Sequence, residues 1–149
     1  PSSIIINILE TEPIGLLENN ESLVFLTEDL GLINANYSSI NHFSNTPVIT
    51  NLNEKKIDLL KTKNILQKIK SNKIYNKLNE VRFENDKIIL ILNNYTTIIL
   101  DDKNYKNSLN KFLRFNDDII IKKNKKIDNY EYINVSIPNQ IIINKKNTI

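Results

Sequence analysis

The segment that most restricts the fold runs from Tyr132 to Lys146, Tyr-Ile-Asn-Val-Ser-Ile-Pro-Asn-Gln-Ile-Ile-Ile-Asn-Lys-Lys, where two strand-like runs flank Pro138-Asn139. In the first, Ile133, Val135 and Ile137 alternate with Asn134 and Ser136, the two-residue period of a strand with one face buried. The second, Gln140 to Asn144, holds three consecutive isoleucines and is closed by Lys145 and Lys146. Proline has no N–H to give a ladder, so Pro138 belongs at a bend or on an edge rather than inside a central strand. The chain is therefore expected to finish on a sheet edge. A β-branched edge with few charges can accept another protein's strand. On this pattern, a proline at Ile142 is the substitution expected to remove a ladder donor and block such an addition.

The remaining pattern supplies a scaffold for that edge. Ser3 to Glu10 reads as a strand with Ile4, Ile6 and Ile8 at period two, ended by Glu12-Pro13. Leu23 to Leu26 and Leu32-Ile33 read as a hairpin, with Gly31 expected to supply a positive φ to its turn. Asn34 to Thr46 lacks periodicity and reads as a surface loop holding the solitary His42. Thr46 to Thr50 reads as extended. A helix follows, with Asn53 as its cap, Glu54 in its first turn and Leu59, Thr62, Leu66 and Ile69 on one face. A meander comes next, from Val81-Phe83 through Asn85-Asp86 to Lys87–Leu92, then through Asn93-Asn94 to Thr96–Leu100. Asp101 or Asp102 is expected to cap a second helix carrying Tyr105, Leu109, Phe112 and Leu113 on one face. Asp117-Asp118 precede an expected short strand, Ile119 to Ile121, and Lys122 to Lys126 reads as a basic loop. Consecutive strands with two interspersed helices indicate an α+β domain, a mixed and largely antiparallel sheet with both helices on one face.

Composition removes several chemistries. The chain has no Cys and one His, which leaves no zinc ribbon, thiol nucleophile or Ser-His-Asp scheme, and 2 Gly exclude a Gly-rich phosphate loop. The pairs Asp101/Asp102 and Asp117/Asp118 read as caps and turns before they read as acid-base catalysts. The chain is thus expected to be no enzyme, with no cofactor, metal or small-molecule substrate. A net charge of +3 is too small to argue for nucleic acid, and the lysines between Lys55 and Lys70 have no aromatic among them. No run approaches the roughly 20 apolar residues that span a bilayer. A chain that starts at Pro1 and lacks Met reads as an excerpt or a processed product, with any signal or anchor upstream.

Several segments, taken in order, resemble the FtsQ/DivIB family of bacterial cell-division proteins. Pro1 to Gly15 is similar to the family's Pro-x-x-Leu-x-Val-x-Val-x-Glu-x-x-Pro-Val-Ala segment, where a small POTRA domain passes into a larger β domain. Leu26 to Ile33 resembles its hairpin, and Pro47-Val48-Ile49-Thr50-Asn51 its Leu-Pro-x-x-x-Gly segment. Leu92-Asn93-Asn94, the strand to Leu100 and the helix with Leu109 and Phe112 match without a gap. Ile133 to Asn139 sits where the family has Ile-Asp-Leu-Arg-Tyr-Pro-Asn-Gly, although Asn134 replaces its Asp, Ser136 its Arg, and Gln140 and Asn51 its glycines.

The resemblance implies residues 1–13 as the end of a POTRA domain and 14–149 as an FtsQ-type β domain. It also implies a single-pass inner-membrane protein with this part in the periplasm at the division septum. Its partners would be FtsB- and FtsL-like proteins. The last strand, about Ile137 to Asn144, would receive a strand from FtsB, and Tyr132, Ile137, Asn139, Gln140, Ile141, Ile142, Ile143 and Asn144 would be the partner-binding residues. Two other readings stay open: a POTRA-type outer-membrane or secretion assembly module, and a basic nucleic-acid-binding domain.

Overall fold

A computed structural model describes residues 11–19, 21–53 and 56–146 of the chain. The strand expected at Ser3 to Glu10 and the helix position of Glu54 lie outside the described residues. Among the described residues, nine strands, β1 (Pro13–Asn19), β2 (Ser22–Thr27), β3 (Leu32–Asn34), β4 (Val48–Asn51), β5 (Leu78–Glu84), β6 (Lys87–Leu92), β7 (Thr97–Asp101), β8 (Tyr130–Asn134) and β9 (Ile142–Lys145), form one sheet in the order β3-β2-β1-β4-β5-β6-β7-β8-β9. The β1–β4, β4–β5 and β7–β8 pairings are parallel and the others antiparallel, so the sheet is mixed, in an α+β fold.

Helices α2 (Leu59–Lys70) and α3 (Tyr105–Phe115) make the β4-to-β5 and β7-to-β8 crossovers, as parallel neighbours require. Ile65, Leu66 and Ile69 of α2 and Leu109, Phe112 and Leu113 of α3 enter one core with a single face of the sheet. The register draws that face as a line, Leu17–Ile49–Val81–Leu90–Ile98–Ile133–Ile143, because directly opposed residues share a face. The first six are 0–4% exposed, whereas Ile143 is 41% exposed. The core therefore runs out at β9, and α3 packs mainly on β7.

The structure corrects several local expectations. Pro13 opens strand β1. The loop around His42 contains a short helix, α1 (Tyr37–His42), capped by a reciprocal pair of bonds between Asn36 and Ser39. Phe43, at its end, packs edge-on against Phe25 on the sheet face opposite the core, with ring centroids 5.6 Å apart. In the β2–β3 turn the positive φ belongs to Leu30 and not to Gly31. Gly31 instead makes room, since a Cβ there would sit 2.8 Å from Thr27 Oγ1. Asp58, not Asn53, caps α2 by accepting the Lys61 N–H at 2.9 Å. Asn104 precedes α3 without a side-chain cap, while Asp102 pairs with Lys61. The strand expected at Ile119 to Ile121 is a π-helical turn, Asn116–Ile121, that prolongs α3.

Candidate partner-binding edge

The backbone phase of β8 decides which groups of β9 are used. The Val135 N–H donates to Ile99 O on the β7 side at 2.9 Å. Strand backbones alternate, so the N–H and C=O of Tyr132 and Asn134 face β9, where they meet Asn144 and Ile142. The Lys146 N–H keeps the same phase, donating to Asn129 O at 2.9 Å. Ile143 and Lys145 are then the residues whose N–H and C=O point away from the sheet. Among the described residues no strand lies on that side. Ile142 is consequently the wrong place for a blocking proline, because its N–H faces β8; Ile143 is the outward donor.

Side chains around this edge divide between two faces. Ile143 continues the core line, while Ile142 continues the opposite line, Thr50–Arg82–Ile89–Ile99–Asn134–Ile142, and is 40% exposed. Asn144 stands opposite Tyr132, and its Nδ2 donates to Glu131 Oε2 at 2.6 Å. Ile137 does not keep the alternation of the first run. The chain leaves β8 after Asn134, whose side-chain oxygen accepts the Ser136 N–H at 2.9 Å and the Ser136 hydroxyl at 2.8 Å. That turn buries Ser136 and leaves Ile137 38% exposed.

A connection of exposed residues 137–141 carries the chain from β8 to β9. Asn139 takes a positive φ of 58°, which Asn tolerates better than most side chains. Lys111, from α3, donates to the carbonyls of Ile137 and, at 3.1 Å, Gln140. This lysine fastens the connection to the helix and so sets where β9 begins. Beside it an open groove of about 480 Å³ is lined by Asn107, Lys111, Arg114, Phe115, Ile119 and Ile141, among others.

Of the residues singled out from sequence, Ile142, Ile143 and Asn144 lie on β9. Tyr132 lies on β8 directly opposite Asn144, and Ile137, Asn139, Gln140 and Ile141 lie in the connection. Lys111 and Lys145 were missed. Lys145 is detectable as the next member of the i, i+2 series from Ile143, whereas Lys111 is brought to the turn only by packing of α3.

No family model matches the chain, and no curated protein matches it. Among the solved structures similar to the chain is the major extracytoplasmic domain of the bacterial cell division protein DivIB from Geobacillus stearothermophilus, at 13% identity and a TM-score of 0.45, over 79% of this chain and 99% of that chain.

The charged groups elsewhere hold elements in place. Lys61 pairs with Asp102 at 2.7 Å, Lys70 with Glu28 at 2.8 Å and Lys77 with Asp128 at 3.1 Å, joining helix α2 and short helical turns to distant connections. The hydrogen bond from Lys70 holds the Glu28 carboxyl below its ordinary range, and that from Lys122 does the same for Asp118. Asp118 and Lys122, 2.6 Å apart, close one turn of the π-helical segment. Among the described residues no three His, Cys, Asp or Glu come together as metal ligands, and no helix is long and apolar enough to cross a membrane.

Proposed function

We propose that this chain is the extracytoplasmic β domain of an FtsQ/DivIB-type cell-division assembly protein. Its work is non-catalytic: it holds FtsB- and FtsL-like partners at the septum by taking a partner's strand onto β9. The observation that carries this reading is the outward-facing backbone of Ile143 and Lys145 on a strand whose neighbours Ile141, Ile142 and Ile143 are all exposed. An added strand would satisfy those backbone groups in register, and the isoleucines on both faces would select its side chains. The ordered family-like segments, from Pro47 to Asn51 through Leu92-Asn93-Asn94 to the run ending at Asn139, support the family. On this reading residues 1–13 close a POTRA domain, 14–149 form the β domain, and a single membrane anchor lies upstream with the domain in the periplasm.

The test is binding of soluble extracytoplasmic fragments of FtsB- and FtsL-like proteins from the same genome to the parent chain and to Ile143→Pro. Removing an outward N–H and inserting a ring should weaken binding at least about tenfold. Proline is tolerated on the open side of an edge strand, so the circular-dichroism melt should stay within a few degrees of the parent. A folded Ile143→Pro chain that binds as the parent does would contradict the reading.

A further inference from the structure

Charge is unevenly divided along this chain. From Lys103 onward there are ten Lys and Arg against four Asp and Glu, whereas the residues before it carry ten against thirteen. The basic part is the part that builds the β9 edge: α3, the Lys122 to Lys126 run, β8 and β9. Its acids are largely occupied. Asp118 pairs with Lys122, Asp128 with Lys77 and Asn94, and Glu131 accepts from Asn144. Arg114, Lys123, Lys125, Lys126 and Lys145 have no ion pair among the described residues.

These cations flank the edge at both ends. Arg114 shares the groove with Ile141, just before β9 begins, and with Asp118, whose carboxyl is held low first by its bond from Lys122 and to a lesser extent by the Arg114 charge. At the far end, the Lys146 N–H bonds to Asn129 O, and the Asn129 N–H bonds to Lys126 O, which brings the terminal lysines beside the basic run. Between the ends the edge is apolar, with Ile142 and Ile143 on opposite faces. Resting on the strand-addition reading above, we infer that the segment added to β9 is acidic: an extended peptide with apolar residues at its centre and carboxylates at both ends. Its carboxylates lie against Arg114 at one end and against Lys145 and the Lys122 to Lys126 run at the other. An anionic membrane would meet the same cations but has no use for an outward-facing backbone ladder, and the geometry favours the peptide.

The experiment pans the immobilised full chain against a displayed library of random 14-residue peptides, then measures the enriched sequences as free peptides. Enriched peptides should alternate apolar residues and carry an excess of Asp and Glu toward their ends. Replacing those acids by Asn and Gln should weaken binding about three- to tenfold, the range of a few exposed ion pairs. Raising salt from about 0.05 to 0.3 M should weaken the acidic peptide and leave its neutral counterpart nearly unchanged. Arg114→Gln with Lys145→Gln should reproduce the loss, while Ile143→Pro should abolish binding of both peptides. Enrichment without acidic bias, or no enrichment, overturns the inference. If neutral peptides are enriched and Ile143→Pro still removes them, strand addition survives and only the acidic partner is lost. If acidic peptides bind Ile143→Pro as well as the parent, strand addition itself fails. Tight binding of phosphatidylglycerol vesicles that Arg114→Gln with Lys145→Gln removes, with no peptide bound, assigns the cations to a membrane surface and overturns the inference.

Discussion

Glu80 lies on the sheet face opposite the core, directly across from Ile91, and its carboxylate takes two bonds from Arg82, at 2.8 and 3.0 Å, and one from the Thr50 hydroxyl. Partial burial pushes its pKa up, but the bonds from Arg82 and Thr50 outweigh burial, and the net shift is downward from 4.5. A carboxyl with a folded-state pKa below its unfolded value stabilises fully above the unfolded pKa and loses that contribution as pH falls through the folded one. Glu80→Gln should therefore cost about 1 kcal/mol near neutral pH. In denaturant melts the gap between the parent and Glu80→Gln should hold above pH 4.5 and close as the pH falls below it. A gap that widens toward acid would mean that burial, not bonding, dominates at this site. Residue-level conformation was the least legible part of the sequence. Leu30 and Tyr95 both take positive φ although Gly31 and Asn94 stand beside them. Ladder bonds on either side, Thr27 N–H to Gly31 O and Leu92 N–H to Thr96 O, fix where each turn closes and force the less accommodating residue into the left-handed region.

Helix starts show why caps misled while faces did not. The pattern placed the start of α2 at Asn53, yet that side chain accepts the Asn85 N–H at 2.7 Å and ties the chain to the β5–β6 turn, while Asp58 caps the helix. Both residues have the chemistry of a cap, and only the distant turn distinguishes them. Asp58→Ala should cost about 1 kcal/mol and lower the thermal midpoint by a few degrees. Asn53→Ala should leave the hydrogen exchange of the first α2 turn unchanged and loosen the Asn85 amide instead. Loss of α2 protection in Asn53→Ala would put the cap back where the sequence placed it. The apolar faces survived because they depend on period and not on boundary: Thr62, Leu66 and Ile69, and Leu109, Phe112 and Leu113, are buried as the spacing requires, while Leu59 and Tyr105, in the first turns, are partly buried against the same core. Ile65, also buried, was not singled out, although i, i+4 spacing from Ile65 to Ile69 marks it.

At the scale of the molecule, the α+β class and the terminal edge were legible, and the sheet order was not. The β5–β6–β7 meander follows from short Asn-containing turns, but the parallel joins of β4 to β5 and β7 to β8 depend on how α2 and α3 fold back, which no local pattern records. The terminal edge could be read because Pro138, with no N–H to give a ladder, belongs at a bend or an edge and leaves only a short isoleucine run after it. Its outward phase could not, since it is set by the Val135 bond to Ile99. That phase is the claim on which the proposed binding rests, and residue-resolved amide hydrogen exchange reads it directly. In the isolated chain the Ile142 and Asn144 amides should exchange at least about tenfold more slowly than those of Ile143 and Lys145. A bound partner strand should then slow Ile143 and Lys145 alone. Ile143 and Lys145 already protected without a partner, or unchanged with one, would contradict it.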